Sequence, residues 1–78
     1  MTTLFVCENQ FRAMRAKQEL MLGDEFKAVG FGAGLGGAGF DKVLVVLPPR
    51  VLREHELDWC RNYLPLKLFP GGKVKYLN

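Results

Sequence analysis

The sequence predicts a small α/β unit: a single domain with a four-stranded, mainly parallel, Rossmann-like sheet and two helices. Three observations predict it. Val43-Leu44-Val45-Val46-Leu47 is the most apolar stretch, three of its five residues are β-branched, and Pro48-Pro49 closes it; such a run reads as a strand buried on both faces. Six glycines between Gly30 and Gly39 lead the chain into that strand. Segments with helical periodicity alternate with strand-like segments in the order β-α-β-β-α-β, and each helix joining two strands implies a parallel, right-handed crossover.

Thr2 to Cys7 (TTLFVC) is the first strand, apolar enough for burial on both faces. Asn9 then offers a side-chain acceptor to the free N–H groups of a helix over Gln10 to Leu22. Ala13, Met14, Ala16, Leu20 and Met21 form its apolar side, with Arg12, Arg15 and Glu19 opposite. Phe11 and Leu22 fall off that stripe and are expected to meet the core at the helix ends. Gly23 is placed to stop the helix in a left-handed conformation. Phe26 to Phe31 is the second strand, at an edge that tolerates Lys27 and Gly30.

The Gly-rich loop, Gly32 to Gly39, precedes the third strand, Asp41 to Leu47. A second helix is expected from about Leu52 to Leu64, ended by Pro65, with Glu54 and Glu56 in its first turn. Its buried arc is Leu52, Leu57, Trp59, Cys60, Tyr63 and Leu64, with Glu56 intruding. Leu66 to Phe69 leads to a Pro70-Gly71-Gly72 turn. Lys73 to Leu77 is the last strand, its lysines facing water at an edge. The two most apolar strands belong in the centre. That leaves two orders, 2-1-3-4 and 2-3-1-4, of which the second spares the Gly loop a jump over a neighbour. A competing arrangement pairs strands 2 and 3 as an antiparallel hairpin.

Composition limits the function. At 78 residues the chain, 1–78, is near the lower limit for folding on one apolar core. A hydrophobic share of 49% is that of a globular protein. No run approaches the roughly 18 apolar residues of a membrane span, and MTTLFVCENQ, with no basic n-region before its short apolar run, is not expected to act as a secretory signal. The expected location is the cytoplasm, with Cys7 and Cys60 as reduced, buried thiols. The single His55 has no ligand spacing around it, so neither a metal nor a cofactor is expected. A net charge of +3 and a pI near 9.1 are a mild basic bias.

The loop matches G-x-G-x-x-G at Gly32, Gly34 and Gly37 and again at Gly34, Gly36 and Gly39. A dinucleotide fingerprint needs those glycines to open a helix, whereas here they open a strand. A looser anion nest of backbone N–H groups is compatible with them. Gly37-Ala38-Gly39-Phe40-Asp41 before an apolar strand resembles the segment entering the second acidic motif of helicase-type and terminase-type P-loop ATPases. That family ends the strand in acidic residues, and this one ends in Leu47-Pro48-Pro49. Leu4-Phe5-Val6-Cys7, a short loop with Asn9, and Arg12 opening a helix resemble the start of low-molecular-weight tyrosine phosphatases. There the resemblance implies a nucleophilic Cys and a phosphate-clamping Arg. Four residues intervene here where that family has five, and Ala13 follows the Arg where a hydroxyl residue is expected. Neither set of motif residues is complete in this chain.

The expected function is that of a small, non-enzymatic accessory protein acting by binding a macromolecule, a protein ahead of a nucleic acid. Compact accessory proteins of phages and mobile elements have this look. The alternative is a phosphate-ligand binder, or a degenerate phosphatase-like or nucleotide-binding-like protein, using Cys7, Asn9, Arg12, Gly32, Gly34 and Gly37 at the carboxyl ends of the strands. Nucleic acid would be met through its phosphates by Arg12, Arg15, Arg50 and Arg53.

Overall fold

The computed structural model describes residues 2–77. Its elements follow the order β1 (Thr3–Cys7), α1 (Gln10–Glu19), β2 (Phe26–Gly30), β3 (Phe40–Val46), α2 (Glu54–Asp58) and β4 (Leu68–Leu77). All pairings are parallel and the strand order is β2-β1-β3-β4. The two most apolar strands are therefore central. β2 and β3 are not neighbours, so the antiparallel hairpin is not formed, and the Gly loop does pass over β1.

The chain leaves β1 toward one edge and β3 toward the other. Right-handed crossovers then place their helical connections on opposite faces of the sheet. Two separate apolar clusters result. Phe5, Cys7, Ala13 and Ala28 pack under α1, joined by Ala16, Leu44 and Val46. Leu4, Val6, Val29, Leu35, Phe40, Val43, Val45, Cys60 and Leu64 form the larger cluster on the other face. Val43 and Val45 are fully buried in it, each contributing about 1.5–3 kcal/mol by removal from water.

α1 begins as expected, with the Asn9 side chain accepting from the Arg12 N–H at 2.8 Å. It ends earlier than expected and without Gly23. Leu22 N–H donates to the Lys17 carbonyl and Met21 N–H to Gln18, while Met21 takes a φ of 54°. This is a Schellman closure with methionine in the left-handed position that usually holds glycine. Only Ala13 of the expected apolar side is buried; Met14, Leu20 and Met21 are exposed, and so is Phe11. The small Ala13 lets α1 sit close on β1 and β2, and that approach turns the larger side chains outward.

The second helical segment also departs from a plain helix. α2 continues into a π-helical turn, Trp59–Tyr63, and a 3₁₀ turn, Leu64–Lys67. Leu64 N–H donates to the carbonyl of Trp59, five residues back. Pro65 has no N–H to give and opens the 3₁₀ turn instead of ending the segment. Cys60 and Leu64 are buried as expected, while Leu52, Leu57, Trp59 and Tyr63 are half-buried. β4 starts at Leu68 and absorbs Pro70-Gly71-Gly72 as a bulge: it takes five steps from Leu68 to Lys73 where β3 takes two from Phe40 to Lys42. No described helix is long and apolar enough to cross a membrane.

Met21 is 89% exposed, so its side chain loses no packing on removal. Met21→Gly is expected to raise stability by about 0.5–1 kcal/mol, because glycine takes the left-handed conformation without a Cβ clash. An unchanged or lowered urea midpoint would show that this turn is not strained.

Candidate functional site

The strand order reverses between β1 and β3, where open parallel sheets hold ligands at the carboxyl ends of their strands. A cleft of about 820 Å³ lies there. Cys7, Glu8 and Asn9 form its floor, Arg12, Arg15, Ala16 and Glu19 of α1 one wall, and Val46 to Pro49 the other, with Phe11 at the mouth. The structure thus brings Cys7, Asn9 and Arg12 together.

Each of these groups is already engaged in a way that bears on chemistry. The Asn9 carboxamide oxygen is occupied as the cap of α1. Cys7 is buried, and that burial raises its thiol pKa. A phosphatase nucleophile needs the opposite shift. Arg12 stands 3.7 Å from the Glu8 carboxylate, and Arg15 donates to Glu19 at 3.0 Å. A phosphate entering the cleft would meet two arginines whose charges are matched by two carboxylates.

Glu8 of the cleft is tied into a charge junction that sequence reasoning missed. Arg50 follows Pro48-Pro49 and reaches back to both ends of the loop system. Its Nη1 and Nη2 donate to the two Glu56 oxygens, each at 2.9 Å, and its Nε to Glu8 at 3.2 Å. Glu56 also accepts from the Arg53 backbone N–H at 2.8 Å. These bonds hold the Glu56 carboxyl down at about 2 and push the Arg50 guanidinium above its ordinary range. Glu56, 5% exposed, is therefore a paired anchor and not an intruder on an apolar arc. Arg50 is six residues ahead of it, too far for a helix-period signal. A second cavity of about 510 Å³ lies across Leu47 and Pro48, between Leu52, Leu57, Cys60 and Tyr76. Burial and then the Glu56 charge push the Cys60 thiol up to about 11.

Gly32, Gly34 and Gly37 lie elsewhere. None lines the cleft. Their loop crosses the opposite face, with Leu35 in the larger core. The Trp59 indole N–H donates to the Ala33 carbonyl at 3.1 Å, the Tyr63 hydroxyl accepts from the Leu35 N–H at 2.8 Å, and Lys67 Nζ donates to the Gly36 carbonyl. The aromatic rings stack 6.0 Å apart behind it. The glycine that meets the cleft loop is Gly30: a Cβ there would lie 2.7 Å from Asn9 Cα and Gln10 N.

Of the four arginines expected to meet nucleic acid, Arg12, Arg15 and Arg50 are in ion pairs, and Arg53 is exposed. The less engaged cations are lysines. Register places Lys42 beside Lys73 and Leu44 beside Lys75, and none of these lysines has an ion pair among the described residues. The alternation of Lys73 and Lys75 was legible; the adjacency of Lys42 needed the sheet. No family model, curated protein or solved structure matches this chain.

Two outcomes follow from the buried thiol and the junction. Iodoacetamide at neutral pH should label Cys7 only as fast as the protein opens; rapid labelling of the folded state would reveal a thiolate. The Glu56 contribution to stability is full above its unfolded value near 4.5 and is lost as pH falls toward 2. Glu56→Gln should therefore be less stable at pH 7 and should show a shallower loss of stability between about pH 5 and 2. Equal acid slopes in urea unfolding would place no depressed carboxyl at this position.

Proposed function

We propose that this is a non-enzymatic binding protein whose ligand is another protein, taken over the cleft and the sheet surface that continues from it. The observation that supports this reading is the incomplete helical layer. α1 packs on β1 and β2, and among the described residues no helix packs across β3 and β4 on that face. Leu44, Val46 and Leu77 remain half-buried there, an arrangement a protein surface completes by burying them. The cleft supports acid–base or nucleophilic chemistry poorly, since its thiol is shifted away from the reactive form and its arginines are paired.

The phosphate-ligand reading places its ligand against Cys7, Asn9 and Arg12. NMR distinguishes the two. Inorganic phosphate is expected to leave the amides of Cys7 to Arg12 unmoved, while peptides selected from a displayed library on the folded protein are expected to shift amides between Leu44 and Leu47. Saturable phosphate shifts at Asn9 and Arg12, with no peptide reaching the cleft or the sheet, would reverse the order of the readings.

A further inference from the structure

We infer that the partner element is an acidic amphipathic helix, seated beside α1 across β3 and β4. This rests on the protein-binding reading and specifies its ligand.

The size of the open surface sets the shape of the occupant. Neighbouring strands are about 4.8 Å apart, so β3 and β4 offer a strip roughly 10 Å wide. That is the diameter of one helix with its side chains and the usual spacing between packed helices. β3 has seven residues, about 23 Å of strand, which a helix of about 15 residues spans. A helix there would continue the layer that α1 begins, as in doubly wound sheets.

The chemistry of the strip sets the composition. Side chains alternate along a strand, and parallel register aligns them across strands. On the α1 side, Lys42 and Lys73 form one row, Leu44 and Lys75 the next, and Val46 and Leu77 the last. The strip therefore grades from cationic at the amino ends of the strands to apolar at the carboxyl ends, where it runs into the cleft. All three lysines are exposed and free of carboxylates among the described residues. Lys42 and Lys73 repel each other as register neighbours, a cost that an acidic partner would relieve. Apolar residues along one stripe of the partner helix would cover Leu44, Val46 and Leu77, and glutamates or aspartates flanking that stripe would meet the lysines. A nucleic-acid backbone matches the lysines but leaves the apolar row uncovered. A second copy through the β4 edge is disfavoured by Pro70, the bulge and the lysines, the devices that keep edge strands apart.

The test uses the ¹⁵N-labelled protein and three probes: a synthetic amphipathic helix of about 15 residues with leucines on one stripe and glutamates beside it, the same peptide with lysines in place of the glutamates, and a DNA duplex. The acidic peptide is expected to shift Lys42, Leu44, Val46, Lys75 and Leu77, and the basic peptide to leave them unmoved. The triple variant K42E/K73E/K75E should weaken the acidic peptide by at least about tenfold and gain binding to the basic one. K42Q/K73Q/K75Q, which adds no charge, should weaken the acidic peptide alone and serves if the reversed variant does not fold. Acidic-peptide binding that ignores both variants, or a duplex that shifts this face more strongly than the acidic peptide, overturns the inference. Library peptides that seat on the cleft but are basic or extended would overturn it too, while leaving the protein-binding reading standing. If no peptide seats there, both fall.

Discussion

The connection from β2 to β3 is the constraint on which the rest of the structure depends. It must pass over β1 and return from the carboxyl end of one strand to the amino end of another, in the nine residues from Phe31 to Gly39. A crossover that includes a helix needs a dozen or more residues. The loop therefore has to serve as the cover of β1 without secondary structure of its own. Leu35, almost fully buried, supplies the apolar plug. The backbone around it exposes carbonyl and N–H groups that a helix would have satisfied internally. Trp59, Tyr63 and Lys67 take up three of them. The irregular end of the second helical segment, its π and 3₁₀ turns, carries those three side chains.

The charge junction around Arg50 performs the corresponding task at the carboxyl ends of the strands. It ties the loop after β1, through Glu8, to the start of α2, through Glu56. The bidentate Arg50–Glu56 pair is geometrically specific, and the Arg53 N–H satisfies a further lone pair of the same carboxylate. Such a pair fixes orientation more than it adds net stability. Its effect on chemistry is indirect: Glu8, the residue that would face an incoming anion at the switch point, is shared between Arg50 and Arg12. The strand ends thus have the position of a ligand site, with a thiol whose pKa burial raises and arginines that are already paired with carboxylates.

The two faces of the sheet are finished to different degrees. The larger cluster is closed by Leu35, Cys60 and Leu64. The smaller one is closed by a single ten-residue helix whose only buried side chain is Ala13. That asymmetry leaves β3 and β4 bare beside α1, and it joins the lysine rows to the cleft in one surface. The exposed Met14 of α1 lies outside the cleft lining and carries no part of the proposed function, whereas Phe11, also exposed, borders the cleft.

The sequence by itself determined the element order, the centrality of β1 and β3 and the Asn9 cap, because each depends on local propensity or on apolar runs within a few residues of one another. It also placed Cys7, Asn9 and Arg12 together, since a single tight β1–α1 turn brings them there. Only the tertiary structure decided the strand order, the dispersal of the glycines from those residues, the face of α1 that meets the sheet, and the Arg50–Glu56–Glu8 junction. Periodicity showed that α1 has an apolar side; Ala13 won the contact because the smallest side chain permits the closest approach, and Met14 and Leu20 turned to solvent. The lysine rows were hidden for a related reason. Lys42 and Lys73 are distant in the chain and become neighbours only when parallel pairing sets the register of β3 against β4, and that register is fixed by the burial of Val43 and Val45 on the other face.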